Sequence, residues 1–359
     1  MSTATLKRAQ AGERTTRRAG AETTHSVNLA LQGGGAHGAF TWGVLDRLLD
    51  DERIDFEGIS ATSAGAMNAC VFAYGMTLGG REGAKCALAN FWRRISHAAA
   101  FSPLQPTPIE KLMGMRTLEF SPAFLYFDLL TRLLSPYQFN PLNLNPLRQV
   151  LLQTVDFESL RRSTCKVKLF LSATNVRTGK IKVFTGSDID ADALLASACI
   201  PTIFQAVEIG KEAYWDGGYM GNPALFPFFD APTSADILLV QVNPVKRDEV
   251  PKTAGEIMER INEITFNASL LREFRAIDFV NRLMDEHRID PKHYRANRLH
   301  RIDATRALRD YSASTKLDTS WSFFRELHKA GHAAAKGWLT RHFDDLGVKA
   351  TVDLRAEFM

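Results

Sequence analysis

The chain has 359 residues, 45% of them hydrophobic and 23% charged, which suits one large α/β domain or two ordinary ones and excludes a disordered or fibrous protein. Its formal charge is +4, and residues 1–25 carry most of the excess (Lys7, Arg8, Arg14, Arg17 and Arg18 against Glu13 and Glu22), so the body is close to neutral and no nucleic-acid partner is expected. Cys70, Cys86, Cys165 and Cys199 form no C-x-x-C pair, and no run reaches the roughly 18 apolar residues of a membrane span; together these argue against a disulfide scaffold, a zinc site or a transmembrane anchor.

Residues 1–25 are rich in Thr, Ala and Arg and are predicted to be a disordered basic tail. Nothing there has the pattern of a signal peptide, so a cytoplasmic protein is expected, with contact only at the periphery of a membrane. A short strand over 27–31 runs into Gln32-Gly33-Gly34-Gly35-Ala36-His37-Gly38, followed by a helix with Phe40, Val44, Leu45, Leu48 and Leu49 on one face. Strand, glycine loop and helix together offer bare backbone N–H groups to an anion. His37, starting that helix, is expected to be partly exposed.

A second short apolar segment leads into Gly58-Ile59-Ser60-Ala61-Thr62-Ser63-Ala64-Gly65 and then a helix over 64–95. A serine with a very small residue two places away on each side is the pattern of a sharp strand-to-helix turn. That turn exposes the hydroxyl at the sheet end and sets it on a helix N-terminus. Between 98 and 148 the texture changes to proline-broken apolar stretches, with Phe124, Leu125, Phe127, Leu130, Leu133 and Leu134 at helical spacing. This region reads as a lid or acyl-chain surface, or equally as an inserted helical pair packed on the core.

A hairpin is predicted over 169–184, a short helix over 193–198, and a second hairpin over 208–214. The second hairpin delivers Asp216-Gly217-Gly218, a carboxylate with room for backbone to crowd around it. A central strand follows over 236–242, then one or two helices over 254–288 and a last helix over 321–343. Lys292, Arg295, Arg298 and Arg301 form a basic cluster, read as a solvated face or a contact for lipid phosphate.

In order and context, Gly33-Gly34-Gly35-Ala36-His37-Gly38, Ala61-Thr62-Ser63-Ala64-Gly65 and Asp216-Gly217-Gly218 resemble the patatin-like phospholipase family. The resemblance implies an α/β fold, a three-layer α/β/α sandwich with a mainly parallel central sheet, here with a helical C-terminal extension. It implies a catalytic domain over 26–245, carrying the 98–148 insertion, and a helical region over 246–359 packed on it. It also implies a serine-dependent lipid acyl hydrolase, of phospholipase A or lysophospholipase type, acting on a lipid ester without metal or cofactor. Ser63 would be the nucleophile, Asp216 the general base, and Gly33, Gly34 and Gly35 the oxyanion hole, with Gly38, Ala61, Gly65, Gly217 and Gly218 shaping the turns. Two positions depart from the family pattern. Ala61 replaces a usual Gly and adds one methyl, and His37 stands where many members carry Arg or Lys.

Other readings use the same residues. A Ser-His-Asp hydrolase would take Ser63, Asp216 or Asp236, and His293 or His300. A dinucleotide enzyme would use 33–38, but Asp55 precedes the second apolar run instead of ending it, against the usual fingerprint. A lipid-binding protein with relic catalytic parts is the third. The sequence leaves the acyl length, the headgroup and the oligomeric state open.

Overall fold

A computed structural model describes residues 24–100, 102, 104–105, 117–119, 121–162, 167–230 and 234–358. The basic tail up to residue 23 and Cys165 lie outside these residues, as does much of the proline-broken stretch after Phe101.

Eight strands make one sheet: β1 (His25–Leu31), β2 (Ile54–Thr62), β3 (Lys168–Asn175), β4 (Ile181–Phe184), β5 (Val207–Ile209), β6 (Glu212–Asp216), β7 (Asp236–Gln241) and β8 (Arg298–Asp303). The order is β5-β6-β3-β2-β1-β7-β8, with β4 also paired to β3. Strands β3, β2, β1, β7 and β8 run parallel, while β4, β6 and β5 add an antiparallel end. Helices of seven residues or more are α1 (Gly38–Leu49), α2 (Ala64–Ala98), α3 (Pro122–Leu133), α4 (Pro146–Thr154), α5 (Ala191–Ser197), α6 (Ala254–Asp285) and α7 (Trp321–His342).

The alternation of strand side chains sorts the core into two. Leu29, Leu31, Ile59, Ala61, Leu238 and Val240 pack with α1, α2 and α7 on one face. Ala30, Ile237, Leu239 and Leu299 pack with Leu270, Phe274 and Ile277 of α6 on the other. A parallel sheet buried on both faces between helical layers is the arrangement expected for such near-continuous apolar strands.

Three findings amend the sequence expectations. The helix after the serine breaks at Gly79–Gly80, where Gly80 has φ +59. The region after 245 is helical as expected, but it also supplies β8. That strand was not predicted because RLHRID reads as a charged stretch, yet Leu299, His300 and Ile302 are buried. The basic cluster is dismantled in the same way: Arg298 bonds Asp236, Arg295 donates to the Phe228 carbonyl at 2.8 Å, and Arg301 pairs with Glu357. The fold therefore engages three of these four cations internally.

Candidate active site

The parallel register brings the motifs to one end of the sheet. Leu31 lies beside Ala61 on one side and Val240 on the other, so the loop after β1 and the turn after β2 emerge together. Thr62 pairs with Ser172 of β3, and Ala173, one residue further, pairs with Asp216 of antiparallel β6. Asp216 thus stands two strands from the serine turn and level with it.

Ser63 has φ 55 and ψ −125, a left-handed conformation that L side chains rarely adopt, and it opens α2 directly. Its N–H donates to Ser197 Oγ at 2.9 Å, and its carbonyl accepts from Met67 N at 3.0 Å. These two bonds hold a strained residue in place. The small neighbours have distinct uses. A methyl on Gly65 would lie 2.4 Å from the Leu31 carbonyl oxygen, so only glycine fits there. Ala61 is fully buried in the core of the first face, where its extra methyl finds apolar neighbours.

The glycine loop lies against this turn. A Cβ on Gly33 would meet Ser63 Cβ at 2.7 Å, and one on Gly38 would meet Ala64 Cβ at 2.8 Å. Gly33 N donates to Asn222 Oδ1 at 2.7 Å, so that N–H is already engaged. The N–H groups of Gly34 and Gly35 donate to no protein acceptor among the described residues. Gln32 organises the loop from below. Its Oε1 accepts from Val242 N and Asn243 N at 3.0 and 2.9 Å, and its Nε2 donates to Asn222 O and Asn267 Oδ1. Thr62 Oγ1 donates to Gly221 O at 2.6 Å, stitching the serine turn to the segment after Asp216.

Asp216 is buried, and its carboxylate accepts from Gly218 N at 2.7 Å, with the Ser63 hydroxyl near enough to act on its ionisation. Burial pushes its pKa up to about 6, against the opposing pull of Gly218 N–H, the Ser63 hydroxyl and the Lys316 ammonium. The glycines after it are sterically required: a Cβ on Gly217 would sit 2.1 Å from Ser172 O, and one on Gly218 would sit 2.2 Å from the Phe266 ring. The three motifs therefore converge at one end of the sheet, with the glycine loop packed on the serine turn and Asp216 level with it.

The histidines do not join them. His37 was expected at the surface, but residues from the far end of the chain bury it. Its Nε2 bonds Thr315 Oγ1 at 2.8 Å and Phe323 packs against the ring edge. Burial, reinforced by the Lys316 charge, holds its pKa well below the usual value. His300 bonds Asp236 at 3.0 Å at the start of β7, the opposite end of the sheet from Ser63, and His293 is exposed and pairs with Asp290. Asp55 lies at the start of β2, also away from the glycine loop. Among the described residues no group of three or more His, Cys, Asp or Glu could hold a metal ion.

The patatin-like phospholipase family model matches residues 29–231, more than half of the chain. The chain belongs to the patatin-like phospholipase family. Membership supports lipid hydrolase activity and implies a lipid substrate. No curated protein matches the sequence. Among solved structures, VipD from Legionella pneumophila is 16% identical with a TM-score of 0.41, covering 89% of this chain and 67% of that one. ExoU in its heterodimeric complex with SpcU, from the type III secretion system of Pseudomonas aeruginosa, is 19% identical with a TM-score of 0.31, covering 69% of this chain and 51% of that one. The chain thus spans about half the length of ExoU. Among the described residues of this patatin-like protein, no helix is long and apolar enough to cross a membrane.

Sequence reasoning missed the supporting residues Gln32, Ser197, Asn222, Asn243 and Lys316. Only Gln32 adjoins a motif closely enough for position to have marked it.

Proposed function

We propose that this patatin-like protein hydrolyses lipid acyl esters with Ser63 as nucleophile and Asp216 as general base. The observation that carries this reading is that the Ser63 turn, the glycine loop and the buried Asp216 carboxylate meet at one end of the sheet, with the Asp216 pKa pushed up to about 6. A serine hydroxyl is a weak nucleophile until a neighbouring base takes its proton. A carboxylate near 6 is a better base than one near 4, and is still ionised at neutral pH. Attack on the ester carbonyl moves the Ser63 proton to Asp216 and places negative charge on the carbonyl oxygen. The N–H groups of Gly34 and Gly35, with the N-terminus of α2 behind Ser63, are the donors suited to that oxyanion; one such donor is worth about 3–4 kcal/mol of barrier. Collapse expels the alcohol, which takes the proton from Asp216. Water then attacks the acyl-enzyme with Asp216 again as base.

The exposed apolar side chains Leu125, Tyr126, Leu129 and Leu133 of α3 support a role for the 98–148 region as the surface that meets the lipid. The catalytic unit is read as 26–245, with 246–359 completing both of its helical layers.

The test is hydrolysis of a panel of phospholipids, lysophospholipids and neutral esters, alongside labelling by a fluorophosphonate. Wild type is expected to hydrolyse at least one class and to be labelled, and Ser63→Ala to do neither, with a fall in rate of about 10⁴-fold or more. Labelling that survives Ser63→Ala, or an inert and unlabelled wild type, defeats the reading.

A further inference from the structure

Lys316 belongs to a short 3-10 turn, Ala313–Leu317, distant in sequence from all three motifs. Its main chain presses on the glycine loop: a methyl on Gly35, which has φ +58, would lie 2.6 Å from the Lys316 carbonyl oxygen. Its ammonium donates to Asn243 Oδ1 at 2.9 Å, and Asn243 Nδ2 donates to the Gly33 carbonyl at 2.6 Å. A cation is therefore held one amide away from the loop whose free N–H groups face the proposed oxyanion.

The charges around it leave that cation active. Glu263 and Glu259 of α6 face it, as do Arg247, Asp216 of β6 and His37 of the glycine loop. Glu263 is already bonded to Arg260 at 3.1 Å and to Arg247. The acceptor that Lys316 itself uses is a neutral amide, which cancels no charge. Its field reaches both His37 and Asp216. On Asp216 it acts only through space, whereas it is tied to the glycine loop by two hydrogen bonds in series through Asn243.

We infer that Lys316 is a positioning residue of this site: acting through Asn243, it fixes the glycine loop and holds a positive potential on the oxyanion formed there. The inference rests on the Ser63–Asp216 reading. During attack, negative charge leaves Asp216 and appears at the glycine loop. A cation coupled more closely to the loop than to Asp216 stabilises the later charge more than the earlier one, and so lowers the barrier. Burial holds the Lys316 pKa below the usual lysine value, so its charge is lost at a lower pH than that of a surface lysine.

The experiment compares wild type, Lys316→Met and Lys316→Arg in the full chain. It reads kcat and KM for p-nitrophenyl butyrate across pH, fluorophosphonate labelling rate, and folding by circular dichroism. Lys316→Met is expected to lower kcat by about tenfold with KM within about twofold, and to move the acid limb to higher pH as Asp216 loses a nearby cation. Lys316→Arg, which keeps its charge, is expected to recover most of kcat and to remove the alkaline limb. A folded Lys316→Met with kcat within about twofold of wild type and an unmoved acid limb overturns the inference. If Lys316→Met does not fold, a folded Lys316→Arg that keeps the wild-type alkaline limb overturns it as well. An unlabelled wild type removes the serine reading and the lysine with it, whereas a labelled wild type beside an indifferent Lys316→Met removes the lysine alone.

Discussion

Two aspartates at opposite ends of the same sheet are both covered from solvent and behave in opposite ways. Asp216, beside the serine turn, accepts one backbone N–H, and burial pushes its pKa up to about 6. Asp236, at the start of β7, is also covered, though less deeply enclosed, and burial works on it in the same direction. There Arg298 grips both carboxylate oxygens at 2.8 and 2.7 Å, His300 bonds at 3.0 Å, and Gly347 N–H approaches at 3.2 Å. Together they hold its carboxyl far below the usual range. Depth alone decides neither case. A carboxylate matched by a bidentate guanidinium is a structural tie, and one left with only neutral donors suits the proposed role of base.

Replacing each by Asn tests the contrast, and the largest effect belongs to the serine end. Asp216→Asn is expected to cut ester hydrolysis by about 10⁴-fold, since the base is gone, while leaving the fold intact. Next in size, Asp236→Asn is expected to lower unfolding free energy by about 3–5 kcal/mol in urea titrations, because Arg298 and His300 lose their buried partner. The protein that remains folded should still be labelled at Ser63. A labelled fraction that falls with Asp236→Asn at constant folded fraction would erase the distinction between the two ends.

The smallest effect is one of sign. The folded pKa of Asp216 lies above its unfolded value, so ionisation costs the native state stability once pH exceeds about 6, and the cost is absent below about 4. Asp216→Asn is therefore expected to be more stable than wild type by about 3 kcal/mol at pH 8 and no more stable at pH 4. Asp236 has the opposite linkage. Its contribution is present above about pH 4 and is lost only as pH falls toward its depressed folded pKa. In activity the same group is expected to give wild type an acid limb near pH 6, where Asp216 gains its proton. Urea titrations of both variants at the two pH values, with a pH profile of kcat/KM, check these signs; a flat profile through pH 6 removes Asp216 as the base.

How much of this was legible depended on how local each signal was. The strand and loop at 27–38, the serine turn and the two hairpins were readable because apolar alternation and glycine placement are set by neighbours a few residues away. Strand β8 was not, since Arg298 and His300 look like surface residues until Asp236 is known to lie beside them. The burial of His37 was hidden for the same reason: Thr315 and Phe323, which enclose it, come from the far end of the chain. Within the glycine loop the sequence could not divide labour among three identical residues. The bond from Gly33 N to Asn222 is what sets its N–H apart from those of Gly34 and Gly35.

By itself the sequence determined which segments could form strands and turns, and that the serine and the carboxylate each needed glycine beside them. Steric limits of that kind act within a few residues and survive in any context. Tertiary structure alone decided which buried charge has a counter-ion, which histidine is covered, and that Lys316 reaches the glycine loop. Electrostatic environment is a property of what lies across space, and nothing in local spacing encodes it.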